Sequence, residues 1–432
     1  MQKPQVLIGA ATSGSGKTTF TLGLLRLLRN RGLNVQPFKC GPDYIDTKHH
    51  AMASGREAVN LDTFMASPEH VQQLYARYGA ECDACVTEGV MGLFDGYDKM
   101  RGSSAEIAGL IGIPVILVLN AKATAYSVAP VLYGFKHFNP EIRVVGAVFN
   151  FVASEAHYAY LRDACEDVGI EALGYIPKDE RIVIPSRHLG LSIDENFCFD
   201  EFADQVADVI AKTVNIDRLI ELCTMDFPEV QGNEGKSQKW RKIAVARDEA
   251  FNFMYRENIE ALKREGEVVF FSPLYDTVLP DADLIYLPGG YPELFLPELS
   301  KNEEMKQALR EYCEADGKLL AECGGMMYLC ESITGTDGIV YPMVGVLRQG
   351  ATMEQMKLKL GYREVVSDGK MIRGHEFHYS RVNPGNGIFA FEWKVYNAKG
   401  GEVDTPIYRY KNVIASYVHF YWGECGMSFL IP

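Results

Sequence analysis

The sequence lacks any long hydrophobic run. No window of its 432 residues approaches the roughly 18 apolar residues that a membrane-spanning helix needs. Its first segment, MQKPQVLIGAATSGSGKTT, also lacks the charged start, long apolar core and small-residue cleavage site that are typical of a signal peptide. The sequence therefore predicts a cytoplasmic protein that does not bind membranes.

Basic residues are outnumbered by acidic ones, and paired cysteine spacings are scarce. The chain carries 43 Lys and Arg against 57 Asp and Glu, which gives a formal net charge of −14. This balance argues against sequence-general binding to nucleic acid, although local Lys or Arg residues and helix N-termini can still hold an anionic substrate. The ten cysteines are scattered apart from Cys82 and Cys85, which predicts reduced thiols.

What the chain does contain is a repeated alternation of short apolar runs and helical periodicity. A chain of this length is too long for one ordinary core, and strands that alternate with helices predict a doubly wound parallel sheet with helices on both faces. The first part ends in an amphipathic helix predicted over Asp200–Leu222. The strands predicted before it are Val6–Ala10, Val35–Phe38, Ala84–Thr87, Pro114–Leu119 and Val144–Phe149.

A polar stretch, Asp226–Lys242, interrupts the alternation and predicts a linker. We therefore expect domains over residues 1–225 and 243–432, joined by residues 226–242. The second domain restarts the alternation and ends in a tail rich in β-type residues, which predicts an α/β domain with a mixed sheet. Its predicted elements are strands over Ile243–Ala246, Val268–Phe271, Leu284–Leu287, Leu319–Ala321, Gly361–Val366, Met371–Tyr379 and Val413–Phe420, and a helix over Asn302–Glu314.

A phosphate-binding loop is predicted at Ala11–Thr18 (ATSGSGKT), between the first strand and a helix. Its glycines let backbone amides turn toward an anion, Lys17 can reach the terminal phosphates, and the Thr18 hydroxyl can ligate Mg²⁺. Ala11 replaces the glycine of the strict pattern, which is a small departure. The predicted ATP-binding residues are Ser13, Gly14, Ser15, Gly16, Lys17, Thr18 and Thr19.

Acidic residues follow two more predicted strands, within KCGPDYID and EGVMGLFDG. The carboxyl ends of parallel strands share one edge of the sheet, so these acids are expected beside the phosphate-binding loop. Glu88 and Asp46, with Thr18, are the predicted Mg²⁺ ligands. Asp43 and Asp95 are candidates for binding metal or substrate, although such turns also form for local hydrogen bonding.

A nucleophile is predicted at Cys323, where an apolar strand turns into a helix within LLAECGGMMYL. Such a turn exposes the side chain above the sheet, and the helix N-terminus is expected to lower the thiol pKa. Another glycine-rich strand end, PGGYPE, lies upstream. The backbone amides of Gly290 and Gly324 are therefore the predicted oxyanion-stabilising groups.

Three histidines can serve this thiol as a base. His419, in the apolar strand IASYVHFYW, is our first choice as general base. His375 and His378 lie in RGHEFHYSR and are candidates for binding a substrate carboxylate or a metal. Both are about equally well explained as buried core residues.

Together these motifs resemble one family. SGSGKTT, KCGPDYID, EGVMGLFDG, PGGYPE, AECGGMMYL, GYRE, RGHEFHYS and ASYVHFYW occur in the order found in the cobyrinate a,c-diamide synthases of cobalamin biosynthesis, which are CobB/CobQ-type glutamine amidotransferases. The first half alone is also similar to dethiobiotin synthetase. The resemblance spans nearly the whole chain.

The resemblance implies a function in two steps. The first domain would use ATP and Mg²⁺ to phosphorylate a peripheral carboxylate of the tetrapyrrole. The second would resemble a class I glutaminase, in which Cys323 attacks glutamine and His419 acts as general base. Ammonia would then pass internally to the acyl phosphate, once for each of the a and c side chains.

Two positions depart from the related patterns. Many class I glutaminases carry Glu two residues after the histidine, but Tyr421 stands there, so no acidic partner of His419 is predicted. Asn120 stands where relatives usually show Asp, which puts a nucleotide or metal role for that position in doubt.

Alternative functions remain open at this point. The tetrapyrrole can be nickel-sirohydrochlorin or hydrogenobyrinate instead of cobyrinate, and the assembly can be a homodimer. A distant alternative is a non-catalytic P-loop regulatory protein with a vestigial glutaminase domain. The expected partners are therefore the small molecules tetrapyrrole carboxylate, glutamine and ATP.

Overall fold

The structure is a computed structural model, and it describes residues 1–182, 187–188, 191–192, 197–229, 239–367, 369–383, 389–390 and 393–431. The chain divides into two compact units. The N-terminal unit comprises Met1–Thr63 and Ser67–Gly232, and the C-terminal unit comprises Phe64–Ala66 and Asn233–Pro432. Most of the expected linker, residues 230–238, lies outside the described residues. None of the described helices is both long and apolar enough to cross a membrane.

The N-terminal unit is built on a parallel sheet, as predicted. The strands of this sheet are β1 (Gln2–Ala10), β2 (Val35–Cys40), β3 (Val59–Leu61), β4 (Ala84–Glu88), β5 (Val115–Asn120), β6 (Val144–Val152), β7 (Glu171–Pro177) and β10 (Thr224–Asp226). Their order is β3-β2-β4-β1-β5-β6-β7, and β10 pairs antiparallel with the start of β1. A separate antiparallel pair is formed by β8 (Arg187–His188) and β9 (Leu191–Ser192).

Helices connect these strands, and α1 and α7 pack over the sheet through apolar side chains such as Phe20 and Val206, which are fully buried. Because helices cross between parallel strands, the carboxyl ends of β1, β2 and β4 meet at one edge. The helices are α1 (Lys17–Asn30), α2 (Ile45–Ser54), α3 (Pro68–Gly79), α4 (Ser104–Ile111), α5 (Ala129–His137), α6 (Glu155–Val168), α7 (Phe199–Thr213) and α8 (Ile216–Cys223).

The closing helix differs from the prediction. Asp200–Leu222 was expected as one helix, but the chain leaves helical geometry at Val214 and restarts as α8. The Asn215 side chain accepts a hydrogen bond from the Arg218 amide at 3.0 Å. Asn at this position caps a new helix, which the continuous apolar periodicity concealed.

The C-terminal unit contains a mixed sheet, as predicted, in the order β12-β11-β13-β14-β24-β23-β21. Its first five strands are parallel, β23 runs antiparallel to β24, and β21 runs antiparallel to β23. The strands of this sheet are β11 (Lys242–Ala246), β12 (Glu267–Phe271), β13 (Leu284–Leu287), β14 (Lys318–Glu322), β21 (Phe389–Ala390), β23 (Ile407–Tyr410) and β24 (Val413–Ser416).

Two smaller sheets and four α-helices complete the part of the C-terminal unit that the structure describes. One sheet has the order β16-β15-β17-β20 and the other β22-β18-β19-β25. The elements are β15 (Cys330–Thr334), β16 (Val340–Pro342), β17 (Leu347–Thr352), β18 (Lys359–Ser367), β19 (Lys370–His378), β20 (Arg381–Asn383), β22 (Lys394–Asn397) and β25 (Val418–Tyr421), with α9 (Arg256–Glu265), α10 (Leu296–Lys301), α11 (Glu303–Glu314) and α12 (Gly324–Leu329).

The predicted strand Val413–Phe420 is wrong as a single element. It breaks at Tyr417 into β24, which pairs with β14, and β25, which pairs with β19. The Ser416 hydroxyl accepts a hydrogen bond from the Val418 amide at 3.1 Å, and the Ser416 carbonyl accepts one from the Cys323 amide at 2.7 Å. These bonds turn the chain out of the main sheet, and an apolar run gives no signal of such a turn.

Candidate functional site

The phosphate-binding loop follows β1 and opens α1. Gly14 and Gly16 have positive φ angles of 75° and 97°. A Cβ at residue 16 would lie 2.0 Å from Nδ2 of Asn150, so glycine is required there for space as well as for conformation. The loop is stiffened internally, because the Ser15 hydroxyl donates to the Thr12 carbonyl at 2.9 Å.

Next to this loop lies a cavity of about 360 Å³. Its walls include Asn150 and Phe151 at the end of β6. Of the seven predicted nucleotide-binding residues, Gly14, Gly16, Lys17, Thr18 and Thr19 line it, whereas Ser13 and Ser15 do not. Five of the seven are therefore placed to contact a ligand in this cavity.

The Lys17 ammonium is largely buried and donates to the Met91 carbonyl at 2.6 Å. Burial lowers the pKa of Lys17, against the opposing effect of the Glu88 carboxylate. The Lys17 ammonium, which the sequence assigns to phosphate binding, is thus hydrogen-bonded to the loop that follows β4. An anionic ligand would offer this ammonium a stronger partner than a neutral carbonyl.

Glu88, at the end of β4, is the centre of a buried polar cluster. Its Oε1 accepts hydrogen bonds from the Thr18 hydroxyl at 2.7 Å and the Lys39 ammonium at 3.0 Å. Its Oε2 lies 2.6 Å from Nε2 of His50. Burial alone would raise the pKa of Glu88, but Lys39 and the hydrogen bond with His50 hold it below its usual range.

The other two acids near this cluster differ in their environment. Asp46 Oδ2 accepts a hydrogen bond from Lys39 at 2.8 Å, so Lys39 bridges Asp46 and Glu88. Burial alone would lower the pKa of Lys39, but these carboxylates raise it well above its usual value. Asp43 Oδ1 accepts from the amides of Ile45 and Asp46, both at 2.8 Å, at the start of α2.

Asp95 makes a local bond: its Oδ2 accepts from the Gly92 amide at 2.9 Å. Asn120 does the same, with Oδ1 accepting from the Lys122 amide at 2.9 Å. Neither of these hydrogen bonds involves Glu88. Both are the short-range bonds that Asp and Asn commonly make at strand ends.

The donor set at Glu88 fits a magnesium ion. Among the described residues, no group of three or more His, Cys, Asp or Glu side chains is arranged to hold a metal. Mg²⁺ is usually held by only one or two carboxylates together with phosphate oxygens and water. The Thr18 hydroxyl and the Glu88 carboxylate are hard oxygen donors 2.7 Å apart, next to the predicted phosphate site.

Cys323 stands at the carboxyl end of β14 and immediately precedes α12. Its backbone has φ 45° and ψ −107°, a conformation that non-glycine residues rarely adopt and that costs roughly 1–3 kcal/mol. Its Sγ lies 3.9 Å from the Phe377 carbonyl. The strained turn lies at the strand end, as the motif predicts, but the predicted exposure of the thiol is wrong, because the packed strand ends leave Cys323 only 6% exposed.

The prediction of a lowered thiol pKa is wrong. Burial raises the pKa of Cys323 well above its usual value, and the nearby Glu293 carboxylate adds to that shift. The Gly324 amide opposes it, but the helix that begins there has only six residues. Cys323 is therefore a neutral thiol near pH 7.

The two glycine-rich strand ends pack against each other. Because β13 and β14 are adjacent and parallel, Gly289 lies beside Cys323. A Cβ at residue 289 would be 3.3 Å from Cβ of Cys323, and a Cβ at residue 324 would be 3.1 Å from the Gly290 nitrogen. The predicted oxyanion amides of Gly290 and Gly324 are thus brought together next to the thiol.

His419, on β25, reaches the same place from the other side. A Cβ at residue 289 would lie 2.2 Å from Cε1 of His419, so the imidazole and Cys323 both approach the side of Gly289 on which a side chain would stand. The ring is 1% exposed, and burial with the neighbouring His378 lowers its pKa to about 3. It is therefore a neutral imidazole near pH 7.

The remaining two histidines have different surroundings. His375 stacks on His419 with ring centres 4.9 Å apart, and its Nδ1 lies 2.7 Å from the Tyr255 hydroxyl. His378 lies 2.8 Å from Glu376 and stacks on Tyr417. Both rings are buried within hydrogen-bonded networks, which matches their interpretation as core residues.

Several residues in these sites were not predicted from the sequence. His50 contacts Glu88, Asn150 contacts the phosphate-binding loop, and Glu322 lies beside His419. Asn150 and Glu322 are polar residues at the ends of apolar strands, and that position is the signal that could have found them. His50 lies within a helix, where no such signal exists.

Comparisons with known proteins identify both parts of the chain. Residues 6–191 match the model of the CobQ/CobB/MinD/ParA nucleotide binding domain, and residues 242–426 match that of the CobB/CobQ-like glutamine amidotransferase domain. These matches confirm the predicted fold class, a P-loop domain joined to a glutamine-amidotransferase α/β domain.

Curated relatives match along nearly the whole chain. A cobyrinate a,c-diamide synthase from Caldanaerobacter subterraneus subsp. tengcongensis is 39% identical over 429 residues, which cover 96% of this chain and 94% of that protein. The Salmonella typhimurium enzyme of the same name is 37% identical, covering 97% and 95%. The one from Saccharolobus solfataricus is 36% identical, covering 97% and 98%.

Proposed function

The chain belongs to the cobyrinate a,c-diamide synthase family, and from this premise we propose which of its residues carry the two half-reactions. It is a glutamine-dependent amido-ligase that uses ATP to amidate the a and c carboxylates of cobyrinate in cobalamin biosynthesis. Cobyrinate, glutamine and ATP are its small-molecule partners.

The chemistry explains why two sites are needed. A carboxylate does not react with an amine until one of its oxygens becomes a leaving group, and transfer of a phosphoryl group to that oxygen provides one. Ammonium is not a nucleophile in neutral water, so nitrogen has to be released from glutamine as ammonia. The N-terminal unit carries the nucleotide-binding fold, and the C-terminal unit carries the amidotransferase fold.

In the N-terminal unit, we assign phosphate binding to the loop at Gly14–Thr19, with Lys17 exchanging the Met91 carbonyl for a phosphate oxygen. Thr18, Glu88 and Asp46 would hold Mg²⁺, which when bound neutralises phosphate charge. Lys39 donates hydrogen bonds to both Glu88 and Asp46, and its charge lowers the pKa of Glu88. Asp43 and Asp95 remain candidates for contacts to the substrate.

In the C-terminal unit, we assign the nucleophile to Cys323 and the general base to His419. As the thiol attacks the glutamine carboxamide carbon, its proton passes to the imidazole and an S–C bond forms. The amides of Gly290 and Gly324 would stabilise the oxyanion. The imidazolium then gives its proton to the departing nitrogen, which leaves as ammonia, and water hydrolyses the thioester to glutamate.

One observation carries this assignment: the point where a Cβ of residue 289 would stand is 3.3 Å from Cβ of Cys323 and 2.2 Å from Cε1 of His419. The test is Cys323→Ser. We expect it to abolish glutamine-dependent amidation while ammonia-dependent amidation, with ATP and Mg²⁺, persists. Loss of both activities in a folded variant would contradict a separable glutaminase.

The identity of the tetrapyrrole is tested separately. Cobyrinate, hydrogenobyrinate and nickel-sirohydrochlorin are each incubated with the enzyme, ATP, Mg²⁺ and glutamine, and the products are analysed by mass spectrometry. We expect two successive acid-to-amide conversions on cobyrinate. Faster double conversion of either alternative would overturn cobyrinate as the preferred substrate.

A further inference from the structure

His419 has an acidic neighbour in an unexpected place. The residue two positions after it, where many class I glutaminases carry Glu, is Tyr421. Glu322 is instead brought to it from β14, with its Oε2 4.0 Å from Nδ1 of His419. Both side chains are only 1% exposed, so water screens their interaction little.

The Glu322 carboxyl is held rigidly in this position. Its Oε1 accepts a hydrogen bond from the Phe420 amide at 2.9 Å, and its Oε2 accepts one from the Tyr286 hydroxyl at 2.7 Å. Phe420 directly follows His419, so the first bond ties the carboxyl to the strand that carries the imidazole. Tyr286, on β13, fixes the opposite side.

We infer that Glu322 is the positioning acid of the glutaminase, which orients His419 and stabilises the imidazolium that forms when Cys323 gives up its proton. This inference rests on the assignment of Cys323 and His419 proposed above. No proton is transferred to Glu322 in this role, since it acts through the charge and position of its carboxylate. It replaces the missing acid at residue 421 from a neighbouring strand.

The electrostatic surroundings give this role a pH dependence. Burial raises the pKa of Glu322 to about 8, against the opposing hydrogen bonds from Tyr286 and the Phe420 amide. The fraction of enzyme with an ionised Glu322 therefore increases as pH rises through about 8. Other titratable or charged groups that face this cluster are Cys323, Glu293, Tyr255, Arg363, His375, Glu376 and His378.

The experiment measures glutamate release from glutamine by the full-length enzyme between pH 6 and 9.5. We expect Glu322→Gln to lower kcat by about 10²-fold, the scale of a misoriented catalytic group, with KM for glutamine little changed. Glu322→Asp should recover part of that loss. Glu304→Gln, the same substitution on the exposed face of α11, is the matched control.

Tyr286→Phe separates a charge effect from a purely structural one. This substitution removes a hydrogen bond that lowers the pKa of Glu322 and leaves the carboxyl and the bond to Phe420 in place. The alkaline rise in kcat should therefore move to higher pH. If the rise in kcat instead reports ionisation of the Cys323 thiol, Tyr286→Phe should leave it at the same pH as in the parent enzyme. The same result is expected if Glu322 has only a packing role.

Three results would overturn the inference: unchanged kcat in Glu322→Gln, an unmoved pH profile in Tyr286→Phe, or equal loss of ammonia-dependent amidation in a folded Glu322→Gln. Failure of the proposed function looks different, because the parent enzyme itself would then release no glutamate from glutamine. A Glu322→Gln variant that does not fold leaves Tyr286→Phe as the deciding measurement.

Discussion

Gly289→Ala tests the glutaminase geometry with the smallest possible change, one methyl group. Residue 289 is outside the left-handed region, so alanine can adopt its backbone conformation. The added Cβ would nevertheless stand 2.2 Å from Cε1 of His419 and 3.3 Å from Cβ of Cys323. The methyl therefore cannot be accommodated unless the imidazole moves.

The size of that movement sets the expected effect. An ordinary contact begins near 3.4 Å, so His419 must retreat by about 1.2 Å. A displacement of about 1 Å in a catalytic group costs on the order of 10²-fold in rate, or about 2.7 kcal/mol of transition-state stabilisation. We expect at least that loss in kcat/KM for glutamine.

Two assays make the result specific. Glutamate release reports the C-terminal unit, and ammonia-dependent amidation with ATP and Mg²⁺ reports the N-terminal unit, which the substitution leaves intact. Gly134→Ala, in α5, is the matched control because, apart from its chain neighbours and the backbone of its own helix, no heavy atom of the described structure lies within 4 Å of the added methyl. If Gly289→Ala releases glutamate at the parental rate, Cys323 and His419 are not the catalytic pair of the glutaminase.

Three further predictions follow from the two sites. Lys17→Ala should abolish ATP-dependent amidation with either glutamine or ammonia and leave basal glutamate release intact; parental amidation would contradict the P-loop assignment. Gly16→Ala should do the same, because its φ of 97° and the 2.0 Å approach to Asn150 exclude a side chain, and calorimetry should show loss of ATP binding. For stability, the folded-state pKa of Glu322 is raised to about 8 and that of His419 is lowered to about 3. The contribution of Glu322 is thus lost as pH rises from about 4.5 to 8, and that of His419 as pH falls from about 6.5 to 3. The thermal unfolding temperature of Glu322→Gln should therefore fall less between pH 5 and 8 than that of the parent enzyme. An equal fall in both proteins would refute the raised pKa of Glu322.

Much of the fold could be read from local patterns. The predicted strands that carry the sites, such as Val35–Phe38 and Leu284–Leu287, match β2 and β13 closely, because a buried parallel strand is a short run of apolar residues. The errors fall where a polar side chain redirects the chain. Asn215 starts a new helix, and Ser416 ends one strand and starts another.

The chemical identity of both sites was already present in short motifs. A glycine-rich loop with Lys17 and Thr18 needs only a strand before it and a helix after it to bind phosphate, and the turn at Cys323 needs the same context. The resulting likeness to one amidotransferase family is confirmed by relatives that match over nearly the whole chain.

Only tertiary structure decided which distant residues complete these sites and in what protonation state. Glu322 and His419 are 4.0 Å apart although 97 positions separate them, because the break at Tyr417 folds β25 over the end of β14. Burial then raises the pKa of the Cys323 thiol, against the expectation from its position at a helix start. Strand order and desolvation arise from the packing of the whole unit, so no local pattern contains them.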